Sequence, residues 1–84
     1  MALRLAAGIS TAHTDYGTVL LNQRSGEYWE LNPTGTLVLR TLLEGGDEAD
    51  AAQAVVAAFD TNLTQATRDV GELTAQLHSS GLVL

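Results

Sequence analysis

The only proline in this 84-residue chain, Pro33, follows an asparagine and divides the sequence into two unlike halves. Proline brings no backbone N–H to a strand ladder or a helix interior. At the first position of a helix that loss costs nothing, and asparagine just before it is a favoured N-cap. Asn32-Pro33 therefore predicts a helix start. Before it the chain reads as strand and turn, and after it as helix.

In the first half, Tyr16 to Gln23 ("YGTVLLNQ") is a short run of β-branched and aliphatic residues, and Glu27 to Leu31 ("EYWEL") is a second. Ser25-Gly26 lies between them and suits a tight hairpin turn with positive φ at the glycine. Two strands alone are marginal, so the weakly alternating "ISTAHT" (Ile9 to Thr14) is expected as a third in an antiparallel meander. Strand alternation puts Glu27, Trp29 and Leu31 on one face and Tyr28 and Glu30 on the other. Trp29 with Leu31 makes the natural core side. Tyr28 falls on the more exposed side, or in a groove at the sheet edge.

In the second half, the helix from Pro33 carries Leu37, Val38, Leu39, Leu42 and Leu43 and stops at Gly45-Gly46. So broad an apolar surface predicts a central, mostly buried helix. A second helix opens at Asp47, with Glu48 and Asp50 in its electropositive first turn; Ala51, Ala54, Val55, Ala58 and Phe59 are its expected buried side. A third starts near Leu63 or Thr64, capped by Thr61 or Thr64. Leu63, Ala66, Val70, Leu73 and Leu77 lay a stripe along it, and Ser79-Ser80-Gly81 ends it. The tail Leu82 to Leu84 is expected to fold back on the core. The expected fold is α+β and winged-helix-like, a three-stranded antiparallel sheet followed by three helices, in one domain over residues 1–84.

Charge and composition narrow the function. Four arginines against ten acidic residues give a net charge of -6 with no lysine, a poor surface for phosphate backbones. With no cysteine there is no disulfide, thiolate metal site or cysteine nucleophile. His13 and His78 lie far apart and outside ligand spacing. "GDEAD" reads as a capped helix start rather than a Ca²⁺ loop. Neither Ser25 nor Ser79 has a base in motif range. No enzyme activity, metal or cofactor is expected. The N-terminal "MALRLAAGIS" is too short and too polar for a signal or membrane segment, so a cytoplasmic protein with no membrane association is expected.

Two binding classes remain. A winged-helix DNA-binding regulator would read DNA with its third helix, yet that helix carries Arg68 against Asp69 and Glu72, which disfavours it. A peptide-binding module would take an extended peptide onto a free sheet edge. Glu27 and Glu30 guard that edge weakly and favour a basic or neutral peptide.

The run "YGTVLLNQRSGEYWELNPTGTLVLRTLLEGG" resembles the PqqD-like leader-recognition proteins of lasso-peptide biosynthesis, small recognition elements for ribosomally made, post-translationally modified peptides. The resemblance rests on Gly17, Val19-Leu20-Leu21, Arg24, Gly26, Tyr28-Trp29, Leu31-Asn32-Pro33-Thr34-Gly35 and the closing "LEGG". It departs at Asn22, where many relatives carry an acidic residue. The resemblance implies a domain on which a precursor's leader pairs antiparallel with the third strand and lies against the third helix. It also implies a separate cysteine-protease-type leader peptidase as partner; the acidic charge balance, independently, leaves no nucleic-acid partner expected. Carried onto this chain, the peptide-binding candidates are Glu27, Tyr28, Trp29, Glu30 and Leu31 on the strand. On the helix they are Arg68, Asp69, Glu72, Leu73 and Gln76, residues beside the buried stripe that can reach the strand.

Overall fold

The computed structural model describes residues 3–84; the first two residues of the N-terminal stretch read above lie outside it. The elements run β1 (Ile9–Thr14), β2 (Gly17–Asn22), β3 (Tyr28–Leu31), α1 (Pro33–Leu43), α2 (Glu48–Ala58) and α3 (Leu63–Ser79). The expected β-β-β-α-α-α order is the one observed. The strands form one antiparallel sheet in the order β1-β2-β3.

The β2–β3 hairpin is set by its turn. Gly26 sits at φ +78°, and the Asn22 side chain accepts from the Arg24 and Ser25 N–H groups at 2.9 and 3.2 Å. A carboxylate oxygen at this position would accept the same bonds, so asparagine here keeps the turn. Leu20 then pairs with Trp29 and Thr18 with Leu31. Residues paired across a ladder face the same way, which puts all four on the side that meets the helices. Leu20 and Thr18 are 0% and 2% exposed. The buried Thr18 hydroxyl is satisfied by Thr36 of α1 at 2.8 Å and by His13 Nδ1 at 3.3 Å, pinning sheet to helix.

At the junction, the Asn32 side chain accepts from Gly35 N–H at 2.8 Å with Pro33 following as the first helical residue. α1 is central as expected. Val38, Leu42 and the α2 and α3 residues Ala51, Ala52, Val55, Ala66 and Val70 form one cluster. Leu20, Leu39, Leu77, Leu82 and Val83 form a second, onto which Trp29 and Leu31 pack. The C-terminal tail does return, with Val83 bridging Leu5.

Three local expectations are corrected. α3 is capped by Asn62, whose side chain accepts from Gln65 N–H at 2.8 Å, not by Thr61 or Thr64. Leu63, the first residue of the helix, is 52% exposed because the stripe meets α2 only from Ala66 onward. On α2 the buried residues are Ala51, Ala52 and Val55, while Ala58 and Phe59 are exposed. Helical periodicity stops at Ala58: Phe59 is already extended at φ -130° and ψ 160°, so its side chain leaves the face that the pattern assigned. The start of α2 is as read, with Asp47 and Asp50 closing a reciprocal capping box.

Gly17 opens β2 at φ +148°, and a Cβ there would overlap the Leu31 carbonyl oxygen. Gly17→Ala should therefore lower stability by more than about 2 kcal/mol in urea unfolding, since both conformation and backbone packing reject it. Trp29 and Tyr28 should differ sharply in the same assay. Trp29 is half-buried against the second cluster, so Trp29→Ala should cost about 2–3 kcal/mol. Tyr28 is 63% exposed, and Tyr28→Ala should stay within about 0.5 kcal/mol.

Candidate functional site

β3 lies at the sheet edge, hydrogen-bonded to β2 on one side and to no other strand among the described residues. Asn22 N–H donates to the Glu27 carbonyl at 2.9 Å, which makes Asn22–Glu27 a hydrogen-bonding pair. In an antiparallel ladder such pairs alternate, so Leu20–Trp29 and Thr18–Leu31 are bonded too. Tyr28 and Glu30 consequently turn their backbone N–H and C=O groups away from β2, toward the open edge. A short strand with alternate unpaired groups is a template for one more strand.

That edge overlooks a groove. No Cα of β3 comes within 8 Å of a Cα of α3, and the space between them forms two adjoining depressions. One, of about 470 Å³, is floored by Leu31, Asn32, Thr34, Gly35 and Val38 and walled by Glu30, Asp69, Glu72, Leu73 and Gln76. The other, of about 310 Å³, is lined by Trp29, Leu31, Leu73, Leu77 and Leu82 with Glu30, Gln76 and Ser80 at its rim. Glu30, Leu31, Leu73 and Gln76 belong to both. β3 and α3 run in opposite senses along the groove, because Trp29 and Ser80 mark one end and Asn32 and Asp69 the other.

The groove thus gathers Trp29, Glu30, Leu31, Asp69, Glu72, Leu73 and Gln76 from the residues named by the sequence. Glu27, Tyr28 and Arg68 line neither depression. Tyr28 stands on the outer sheet face beside Leu21, its ladder partner, which is itself 37% exposed. Any part of Tyr28 in strand pairing is through its backbone. Asn32, Thr34, Gly35 and Val38 were not named. Their signal was the Asn-Pro junction, which forces the first turn of α1 to start directly under the end of β3. Gly35 is buried there, and a Cβ would lie 3.3 Å from both Leu31 Cβ and Asn32 Oδ1. Leu82 enters because the tail folds back.

Electrostatically the two ends differ. Glu30, Asp69 and Glu72 crowd the wider end, and no arginine lines it. Among the described residues the one ion pair is Arg40–Glu44 at 3.9 Å, on exposed α1 surface. Asp69 accepts from Gln65 Nε2 at 2.8 Å, a neutral partner that leaves its charge in place. The narrower end is mainly hydrocarbon and indole.

Elsewhere, Thr11, His13, Thr18, Thr36, Leu39, Arg40, Leu43 and Glu44 enclose about 150 Å³ between the inner sheet face and α1, a space in which the Thr18–Thr36–His13 bonds are already satisfied. Among the described residues no three His, Cys, Asp or Glu side chains are placed to hold a metal ion. No described helix is long and apolar enough to cross a membrane.

Comparison with known proteins gives the lineage. A lasso peptide synthetase B1, solved in complex with the leader peptide, superposes with a TM-score of 0.91 at 44% identity, covering 100% of this chain and 99% of that one. TbiB1 in complex with the TbiA(beta) leader peptide superposes with a TM-score of 0.83, covering 95% and 93% of the two chains; at 24% identity it speaks to the fold alone. No curated protein matches the chain. The family model for coenzyme PQQ synthesis protein D matches residues 17–83, from the glycine that opens β2 to the bridged tail, and the chain belongs to this PqqD family.

Proposed function

We propose that this protein binds the leader segment of a ribosomally made precursor peptide by adding it, antiparallel, to β3 and seating its side chains against α3. The observation that carries this reading is the open edge of β3 facing a groove. Tyr28 and Glu30 offer backbone donors and acceptors, while Trp29, Leu31, Leu73 and Leu77 offer apolar contact one step inward. Backbone pairing tolerates many sequences, and side-chain anchors in the groove select among them. The 44% identical relative, which carries a leader peptide, supports the choice of ligand.

The protein acts by affinity rather than chemistry. It has no cysteine, and the carboxylates at the groove wall suit a charge partner on the peptide. It holds the leader and delivers the precursor to a separate leader peptidase of cysteine-protease type. The outer sheet face, away from the groove, stays open while the groove is filled. DNA binding has no supporting observation: α3 carries one arginine, Arg68, next to Asp69 and close in sequence to Glu72.

Titrating the fluorescein-labelled leader of the precursor encoded with this protein, followed by polarisation, tests the proposal. Saturable binding at micromolar protein or below is expected. Gln76 is exposed and borders both depressions. Gln76→Trp should fill the groove and weaken binding at least about tenfold with an unchanged melting curve, as expected for an obstructed anchor site. No binding by the wild-type protein, or full binding by Gln76→Trp, would contradict the site.

A further inference from the structure

The groove has a direction as well as a shape, and this fixes the order in which a ligand's anchor residues must come. Its acidic end lies where β3 finishes, between Leu31–Asn32 and the Asp69–Glu72 turn of α3. Its apolar end lies one ladder step back, around Trp29, Leu77 and Leu82. A segment that pairs antiparallel with β3 passes Leu31 first and Trp29 second. Residues opposite Leu31 and Trp29 point the same way, into the groove, and are separated by two positions.

Resting on the leader-binding reading, we propose that this chain selects leaders with a basic residue followed, two or four positions later, by a bulky apolar one. The basic side chain sits between Asp69 and Glu72, and the apolar one packs on Trp29 and Leu73, above the buried Leu77 and Leu82. Charge complementarity is the reason for the first. Glu30, Asp69 and Glu72 line one end of the groove with no arginine among them, and none has a cation within 4 Å in the described residues. Bringing a peptide against Asp69 and Glu72 buries two carboxylates together, which a neutral or acidic side chain leaves uncompensated. The spacing parity is the reason for the second. A lysine one position away, opposite Glu30, points to the outer face and meets Glu30 alone, not the α3 carboxylates.

The test is a substitution scan. Each residue of the labelled leader is replaced in turn by Lys and by Glu, and affinity is read by polarisation against wild-type protein, Asp69→Asn/Glu72→Gln and Glu30→Gln. Glu72 is exposed and Asp69 partly so, and matching melting curves establish that the variants fold. At groove-facing positions N-terminal to the main apolar anchor, the Lys leader should bind about fivefold more tightly than the Glu leader, a Lys gain read against Glu so that a basic residue already in the parent does not mask it. The gain should vanish in Asp69→Asn/Glu72→Gln, persist in Glu30→Gln, and fade in about 0.5 M NaCl as screening shortens. A leader that binds with no Lys gain at any such position overturns the order proposed here and leaves leader binding standing. So does a gain that survives Asp69→Asn/Glu72→Gln, or one found only C-terminal to the apolar anchor. A leader that fails to bind wild-type protein overturns both.

Discussion

Asn32 accepts the Gly35 N–H directly after β3 ends, and this cap fixes the angle at which the sheet hands over to α1. Pro33 forbids the strand to continue and starts the helix at once. Gly17, beside the same point, lets the β2 backbone close on the Leu31 carbonyl where a side chain could not fit. Thr18 and Thr36 then bolt the two layers together through a buried hydroxyl pair. With sheet and α1 locked, α2 and α3 have one apolar surface left to cover. Their packing leaves α3 standing off from β3 rather than against it.

That stand-off gives the protein its groove. An edge strand is ordinarily a hazard, because its unpaired groups recruit other chains. Here the edge is short, flanked by Glu27 and Glu30, and overlooked by a helix whose near side is acidic. These features leave room for one extended segment of suitable charge and discourage stacking of acidic copies of the same chain. Fold and proposed recognition therefore draw on the same set of residues. Trp29, Leu31 and Leu73 pack the second core with part of their surface and line the groove with the rest, over the buried Leu77.

Much of this was legible in the residues. Alternation separated Trp29 from Tyr28, because the pleat leaves no other choice once Leu31 is inward. Asn32-Pro33 and the Asp47 box marked helix starts through side-chain chemistry that acts within three residues. What failed was phase and capping in α2 and α3. An alanine-rich helix has nearly the same hydrophobicity on every side, so the sequence could not tell Ala52, buried, from Ala58, exposed. Asn62 competed with two threonines for one cap, and the winner depends on where the turn after Phe59 delivers the chain. The α1 floor of the groove was missed for a different reason. Thr34 and Gly35 look like ordinary first-turn residues and Val38 like plain core, and only the close approach of β3 above them makes them part of a site.

The account stands most directly on β3 as a pairing edge. Amide exchange followed residue by residue, with and without saturating leader peptide, measures it. The N–H groups of Tyr28 and Glu30 point to the open edge, whereas those of Trp29 and Leu31 are already held by β2. Binding should slow exchange strongly at Tyr28 and Glu30 and change it little at Trp29 and Leu31. A leader that binds tightly while Tyr28 and Glu30 exchange as fast as before would mean that the peptide sits elsewhere.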